Sequence, residues 1–189
     1  FGTNDSNKSA TYTLNGQTAF DSAYLHETQS ELNNFAVVAP QGANGGALDY
    51  QVALFTRYTR TQFNPDPVGD LMFNGVASSD FHSNQANGVQ ADFTYRLNDR
   101  HTLRAGLMVQ QEHAVFDDSV SVFPVDADGN QTSGQPFTVQ DSHRKTGYLY
   151  SLYAQDEWKF APKLTLNYGL RYDRRDEYVQ AGQLSPRIG

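Results

Sequence analysis

The chain has no cysteine and a single tryptophan. Without cysteine there is no disulfide framework and no thiolate metal site. Lys and Arg number 14 against 21 Asp and Glu, a net charge of -7, and the cations are scattered. Phosphate backbones demand clustered cations, so nucleic acid is excluded as a partner. No run of about 18 apolar residues could cross a membrane as a helix, and no signal peptide precedes the first patterned segment. That absence leaves barrels open, because a barrel strand needs only about 9 to 11 alternating residues and tolerates a low mean hydropathy. Gly-rich phosphate loops, nucleophile elbows and zinc motifs are also missing, so no enzyme and no cofactor is expected. Beginning at Phe1 without Met and stopping at Gly189 inside what reads as a strand, the 189 residues are expected to be a fragment.

What the chain does have is aromatic residues, 13% of its length, on alternating segments. Between Tyr148 and Phe160, the residues Tyr148, Tyr150, Leu152, Ala154, Trp158 and Phe160 share one strand face. From Leu164, the residues Leu166, Tyr168, Leu170 and Tyr172 share the next. Tyr148 and Trp158 are ten positions apart, which is roughly 33 Å at about 3.3 Å per residue. A tilt of about 40° leaves roughly 25 Å along a barrel axis, the height of the apolar band between aromatic girdles. Tyr148, Tyr150, Trp158, Phe160, Tyr168 and Tyr172 are therefore the expected membrane-interface aromatics. A two-sheet sandwich with a Tyr-rich core is the rival on pattern alone. Asp156 falls on the face assigned to lipid; either its place near a turn keeps its cost at roughly 0 to 1 kcal/mol, or a bulge turns it inward.

Elsewhere the pattern repeats. Phe35, Val37 and Ala39 open one strand, with Tyr12 and Leu14 in a weaker one before it. The run Pro40 to Gly46 reads as a turn. Leu48, Tyr50, Val52 and Leu54 begin a strand ended by the prolines of Asn64 to Asp70. Val89 to Leu97 and Leu103 to Val109 form a hairpin turned at Asn98 to His101. The connections alternate: short at 40 to 46, 98 to 101 and 161 to 163, long near 64 to 87 and 117 to 145, the last a loop or an extended hairpin. That asymmetry is the habit of outer-membrane barrels. A polar loop is expected from Asp173 to Gly182.

Candidate chemistry is sparse. His26, His82, His101, His113 and His143 have no metal-ligand spacing and read as turn or loop residues. Asp126 to Asn130 places Gly129 too early for a calcium loop, so an Asp-Gly turn is expected. Asp156 and Glu157 point to opposite faces and cannot act as a carboxylate pair. Arg57 also attracts notice among the strand arginines, and Arg96, Arg104 and Arg171 fall opposite the apolar faces and are the lumen-facing candidates, either pairing with carboxylates there or drawing an anionic ligand.

The segment YAQDEWKFAPKLTLNYGLRYD, Tyr153 to Asp173, followed by QLSPRIG, Gln183 to Gly189, resembles the barrel of TonB-dependent outer-membrane receptors. DYQVALFTRY and NGVQADFTYRL are similar to further strands of that family. The resemblance implies an all-β fold, an antiparallel transmembrane β-barrel wall that is part of a closed barrel of about 22 strands. Residues 1 to 189 would be a partial barrel domain of eight or nine strands, with the plug domain and TonB box absent from the chain. It further implies the bacterial outer membrane as location and energy-coupled uptake of a scarce small-molecule ligand, a metal chelate such as a ferric siderophore, or cobalamin. Implied partners are outer-membrane lipid, the receptor's own plug domain and the TonB complex, with ligand contacts expected within Asp117 to Lys145. The alternatives are a passive porin-type channel and, further off, a secreted carbohydrate-binding β-domain.

Overall fold

Alternating side chains dictate strands here, and the computed structural model describes residues 11 to 14 and 17 to 189, with side chains from Asp21 on. The short pair β1 (Thr11–Leu14) and β2 (Gln17–Asp21) is antiparallel. A single 3-10 turn, Ser22–Tyr24, follows, capped by Asp21 through a 2.9 Å bond from the Ala23 N–H. The remaining strands form one sheet. They are β3 (Thr28–Val38), β4 (Gln41–Asn44), β5 (Leu48–Asn64), β6 (Val76–Arg96), β7 (His101–Val122), β8 (Phe137–Ala161), β9 (Leu164–Asp176) and β10 (Gln180–Ile188). Their order is β10, β9, β8, β7, β6, β5, β3, with β4 also paired to β5. From β5 to β10 every strand lies beside its neighbour in sequence, the meander that hairpin connections produce, while β3 and β4 both pair with β5.

The sheet is all-β and open, with β10 at one edge. Among the described residues few large side chains are buried and the buried apolar residues are Leu71, Ala77, Ala86 and Ala91. A soluble sandwich buries one face of each sheet against another. Here both faces are largely uncovered, which disposes of the Tyr-rich sandwich core.

Several boundaries differ from the sequence reading. Pro40 to Asn44 is not a turn: Gln41 to Asn44 pair with β5, and the Pro40 carbonyl accepts from the Val52 N–H at 3.0 Å. Proline lacks the N–H that would continue the ladder, so the pairing is interrupted there and resumes at once. The turn itself is Gly45 to Ala47, with Gly45 and Gly46 at φ 58° and 80°, a backbone that glycine adopts without strain. Residues 76 to 87 were expected in a loop and belong to β6; residues 117 to 122 and 137 to 145 belong to β7 and β8, so the extended hairpin is what forms. Their polar residues lie on both faces, and alternation, the signal for a strand, vanishes. Asp173 to Asp176 and Gln180 to Gly182 are likewise strand, and the turn between them is only Glu177 to Val179. The polar loop expected at 173 to 182 therefore shrinks to those three residues.

The chain divides into two units, residues 1–32, 60–83 and 115–143 in one, and 33–59, 84–114 and 144–189 in the other. In the first, α1 (Gly69–Asn74) follows Pro67. Asp66 organises it: one carboxylate oxygen accepts from the Val68 and Gly69 N–H groups at 3.0 and 2.7 Å, the other from the His26 N–H at 3.1 Å. Asp70 reciprocates by accepting from the Asp66 N–H at 2.9 Å, a two-way cap at the helix start. The Asp-Gly turn at Asp126 to Asn130 forms as expected, with Asp126 accepting from the Asp128 and Asn130 N–H groups at 3.0 and 2.8 Å. In the same unit Ser142 donates to Asp117 at 2.7 Å and Ser121 and Thr138 meet at 2.9 Å. The second unit holds the aromatic strands.

Candidate functional site: the two faces of the aromatic wall

In the second unit the β8–β9 ladder sorts the residues by face. Leu152 pairs with Tyr172, Ala154 with Leu170, Asp156 with Tyr168 and Trp158 with Leu166. Tyr148, Tyr150, Trp158, Phe160, Tyr168 and Tyr172 are all exposed, as are Leu152 at 59% and Leu170 at 47%. In water so much exposed apolar surface would be a liability. Tyr148 and Tyr150 stack with centroids 6.1 Å apart, and Trp158 and Phe160 lie 5.6 Å apart at the far end of the same strand face.

The other face is polar and tied together across five strands, β5 to β9. Tyr153 on β8 donates to Asp92 on β6 at 2.8 Å, passing over Gly106 on β7, where an added Cβ would lie 2.3 Å from the ring. Glycine is required there because the tyrosine occupies the side-chain space. On β9, Arg171 holds Asp173 through Nε at 2.8 Å and also bonds Ser151, which itself donates to Asp173. Arg104 reaches Glu157 at 3.1 Å, and Arg96 reaches Asp49 at 2.8 Å and the Gly46 carbonyl. All three arginines singled out from the sequence are thus ion-paired within their own face. These pairs are half-exposed, so each contributes about 0 to 1 kcal/mol; together they fix the orientation of long side chains.

At Asp156 the bulge explanation fails. The register shift lies between Lys159 and Ala161, not at Asp156, so no bulge turns it inward. It stays on the aromatic face but is buried, 7% exposed. One carboxylate oxygen accepts from His101 Nδ1 at 2.7 Å and from the Tyr168 hydroxyl at 2.8 Å, while His101 stacks on Trp158 at 5.8 Å. A carboxylate on an apolar face is tolerable only with such partners. No sequence spacing announces this cluster, since its members come from β7, β8 and β9.

The histidines also correct the loop expectation: His82, His101, His113 and His143 lie in strands, and only His26 is in a connection. His82 pairs with Asp118 at 3.0 Å, His143 with Asp141 at 2.7 Å, and His113 meets Thr146 at 2.9 Å. Among the described residues no group of three His, Cys, Asp or Glu converges on a metal position.

An open meander of long antiparallel strands, exposed and aromatic on one face, polar and ion-paired on the other, is the wall of a barrel standing in lipid. The family described as TonB dependent receptor-like, beta-barrel matches residues 1–189, the whole chain. The chain belongs to that family. It is accordingly part of a bacterial outer-membrane receptor and transporter barrel, and its all-β antiparallel sheet is a segment of that wall. Among curated proteins none matches the chain. The family is one of transporters and receptors.

Proposed function

We propose that this wall serves energy-coupled uptake of a scarce ligand, a metal chelate such as a ferric siderophore, or cobalamin, in a receptor that carries its own plug domain and is driven through TonB. The observation that carries the reading is the family match along all of residues 1–189. Tyr148, Tyr150, Trp158, Phe160, Tyr168 and Tyr172 face lipid in this reading, with Trp158 and Phe160 at the periplasmic interface because the adjoining turn at 162 to 163 is short. Arg96, Arg104 and Arg171 face the lumen. Their ion pairs supply a fixed polar lining rather than an open anion trap, since each guanidinium already has a carboxylate. Ligand contacts are assigned to residues 117 to 145, within which the connection is 123 to 136.

Uptake of radiolabelled ferric chelates and of cobalamin, compared in cells with and without TonB, is the test. Loss of uptake without TonB is expected. Uptake that persists would replace this reading with the passive channel.

A further inference from the structure

One cation on the aromatic face of the second unit stands apart from the arginines beside it. Arg96, Arg104 and Arg171 are ion-paired on the polar face, and Arg175 lies 3.6 Å from Glu177. Arg174 points the other way by strand alternation. It is exposed, and among the described residues it has neither an ion pair nor a hydrogen-bond partner. The ladder sets it directly opposite Tyr150 on β8 and Gly182 on β10. Gly182 leaves a gap that the Tyr172 phenol enters, its hydroxyl 2.9 Å from where a Cβ would stand. The guanidinium therefore stands beside a free phenol hydroxyl. Toward the 162 to 163 turn the next two rows are apolar: Leu152, Tyr172 and Leu184 pair in one, and Ala154, Leu170 and Pro186 in the other. Leu152 and Leu184 are each 59% exposed. Asp176, the one carboxylate on this face of β9, lies a row further out opposite Tyr148 and makes no ion pair with Arg174.

We propose that Arg174, with the Tyr172 hydroxyl beside it, binds the phosphate of a net-anionic lipid at the interface remote from the 162 to 163 turn, the acyl chains lying over the leucine rows. The proposal rests on the lipid-facing orientation given above. A guanidinium offers a planar fork of N–H donors that matches two phosphate oxygens, and here it is set at the rim of an apolar field, where a phosphate ester continues into hydrocarbon. A choline headgroup carries its own cation, which competes with Arg174 for the phosphate, so an anionic headgroup is preferred. Arg144 supplies the comparison. It is exposed on the same face of β8 and also without an ion pair, but it is six positions from Tyr150, about 20 Å further along the strand and away from the leucine rows.

The test uses the complete receptor, purified and delipidated in detergent, titrated with phosphatidylglycerol and phosphatidylcholine of identical chains and read by native mass spectrometry. Retention of phosphatidylglycerol is expected, with about tenfold weaker retention of phosphatidylcholine, the ratio that one charge-assisted hydrogen bond supplies. Arg174→Gln should erase that preference, Tyr172→Phe should lower it about threefold, and Arg144→Gln should leave it intact. Equal retention of the two lipids by the native receptor, or an unchanged preference in Arg174→Gln, overturns the site. Equal losses in Arg144→Gln and Arg174→Gln also overturn it, because diffuse charge would then suffice. So does displacement of phosphatidylglycerol by an equal concentration of inorganic phosphate, which would make the free anion the ligand. Spin labels at Leu107 and Leu170 report the orientation separately. If they lie in water the orientation and the site both fall, and if they lie in lipid while no headgroup preference is found, the site alone falls.

Discussion

Tyr153 shows how one residue can bind a wall together. Its ring fills the side-chain space over Gly106 and its hydroxyl reaches Asp92, so a β8 residue spans β7 to hold β6. Gly106→Leu places a branched side chain where the ring already lies and should destabilise the refolded receptor by about 1 to 3 kcal/mol, read as a shift in denaturant midpoint. Tyr153→Phe keeps the ring and loses only the hydroxyl; a cost of about 1 kcal/mol is expected. If the two variants were equally destabilising, the steric account of Gly106 would be wrong. Neither Gly106 nor Asp92 is notable in sequence, because their partner is 47 and 61 positions away.

Among the elements, α1 and its approach depend on a single carboxylate. The N–H groups of Gly69, His26 and Val68 donate to Asp66 and hold its carboxyl below the ordinary aspartate value, the Gly69 contact being the largest cause. The folded value is lower than the unfolded one, so this contribution is fully present above the unfolded pKa and is lost as pH falls through the folded value. Glu27 runs the other way: burial, then the neighbouring Asp70, raise its carboxyl above the usual range. Its contribution is present at low pH and is lost as pH rises through the raised value. Amide exchange of Gly69 to Asn74 should therefore accelerate both in strong acid and, more gently, on going to neutral pH. Asp66→Ala should accelerate it at every pH at which Asp66 is ionised, with about 1 kcal/mol of lost protection. A flat exchange profile would contradict the cap. The sequence offered Pro67 as a strand breaker but not the helix, because six residues are too few to show a helical period.

For the whole molecule, the decisive contrast is between the two faces. Leu107 is 40% exposed on the aromatic face, while Met108 beside it points to the polar one. Leu107→Arg should cost about 2 to 4 kcal/mol of membrane stability if it lies near the bilayer midplane, whereas Met108→Arg should cost far less. Heat-modifiable mobility of the receptor in urea reads the difference, and equal effects would remove the lipid-facing assignment. Deleting residues 126 to 134 within the long connection should leave insertion intact and lower ligand uptake, since that segment is a self-contained turn.

The sequence by itself determined the strands whose faces differ, since a strand with lipid on one side and a polar interior on the other must alternate with period two. It determined the hairpins at Asn98 and Ala161, the aromatic face from Tyr148 to Tyr172, and through its motifs the family. Tertiary structure alone decided the rest. Strands polar on both faces, such as residues 76 to 87, carry no alternation and become visible only through their ladder partners. The standing of Asp156 was equally hidden: a carboxylate on an apolar face is tolerable or not according to its donors, and those sit on β7 and β9, brought to it by register rather than by proximity in the chain.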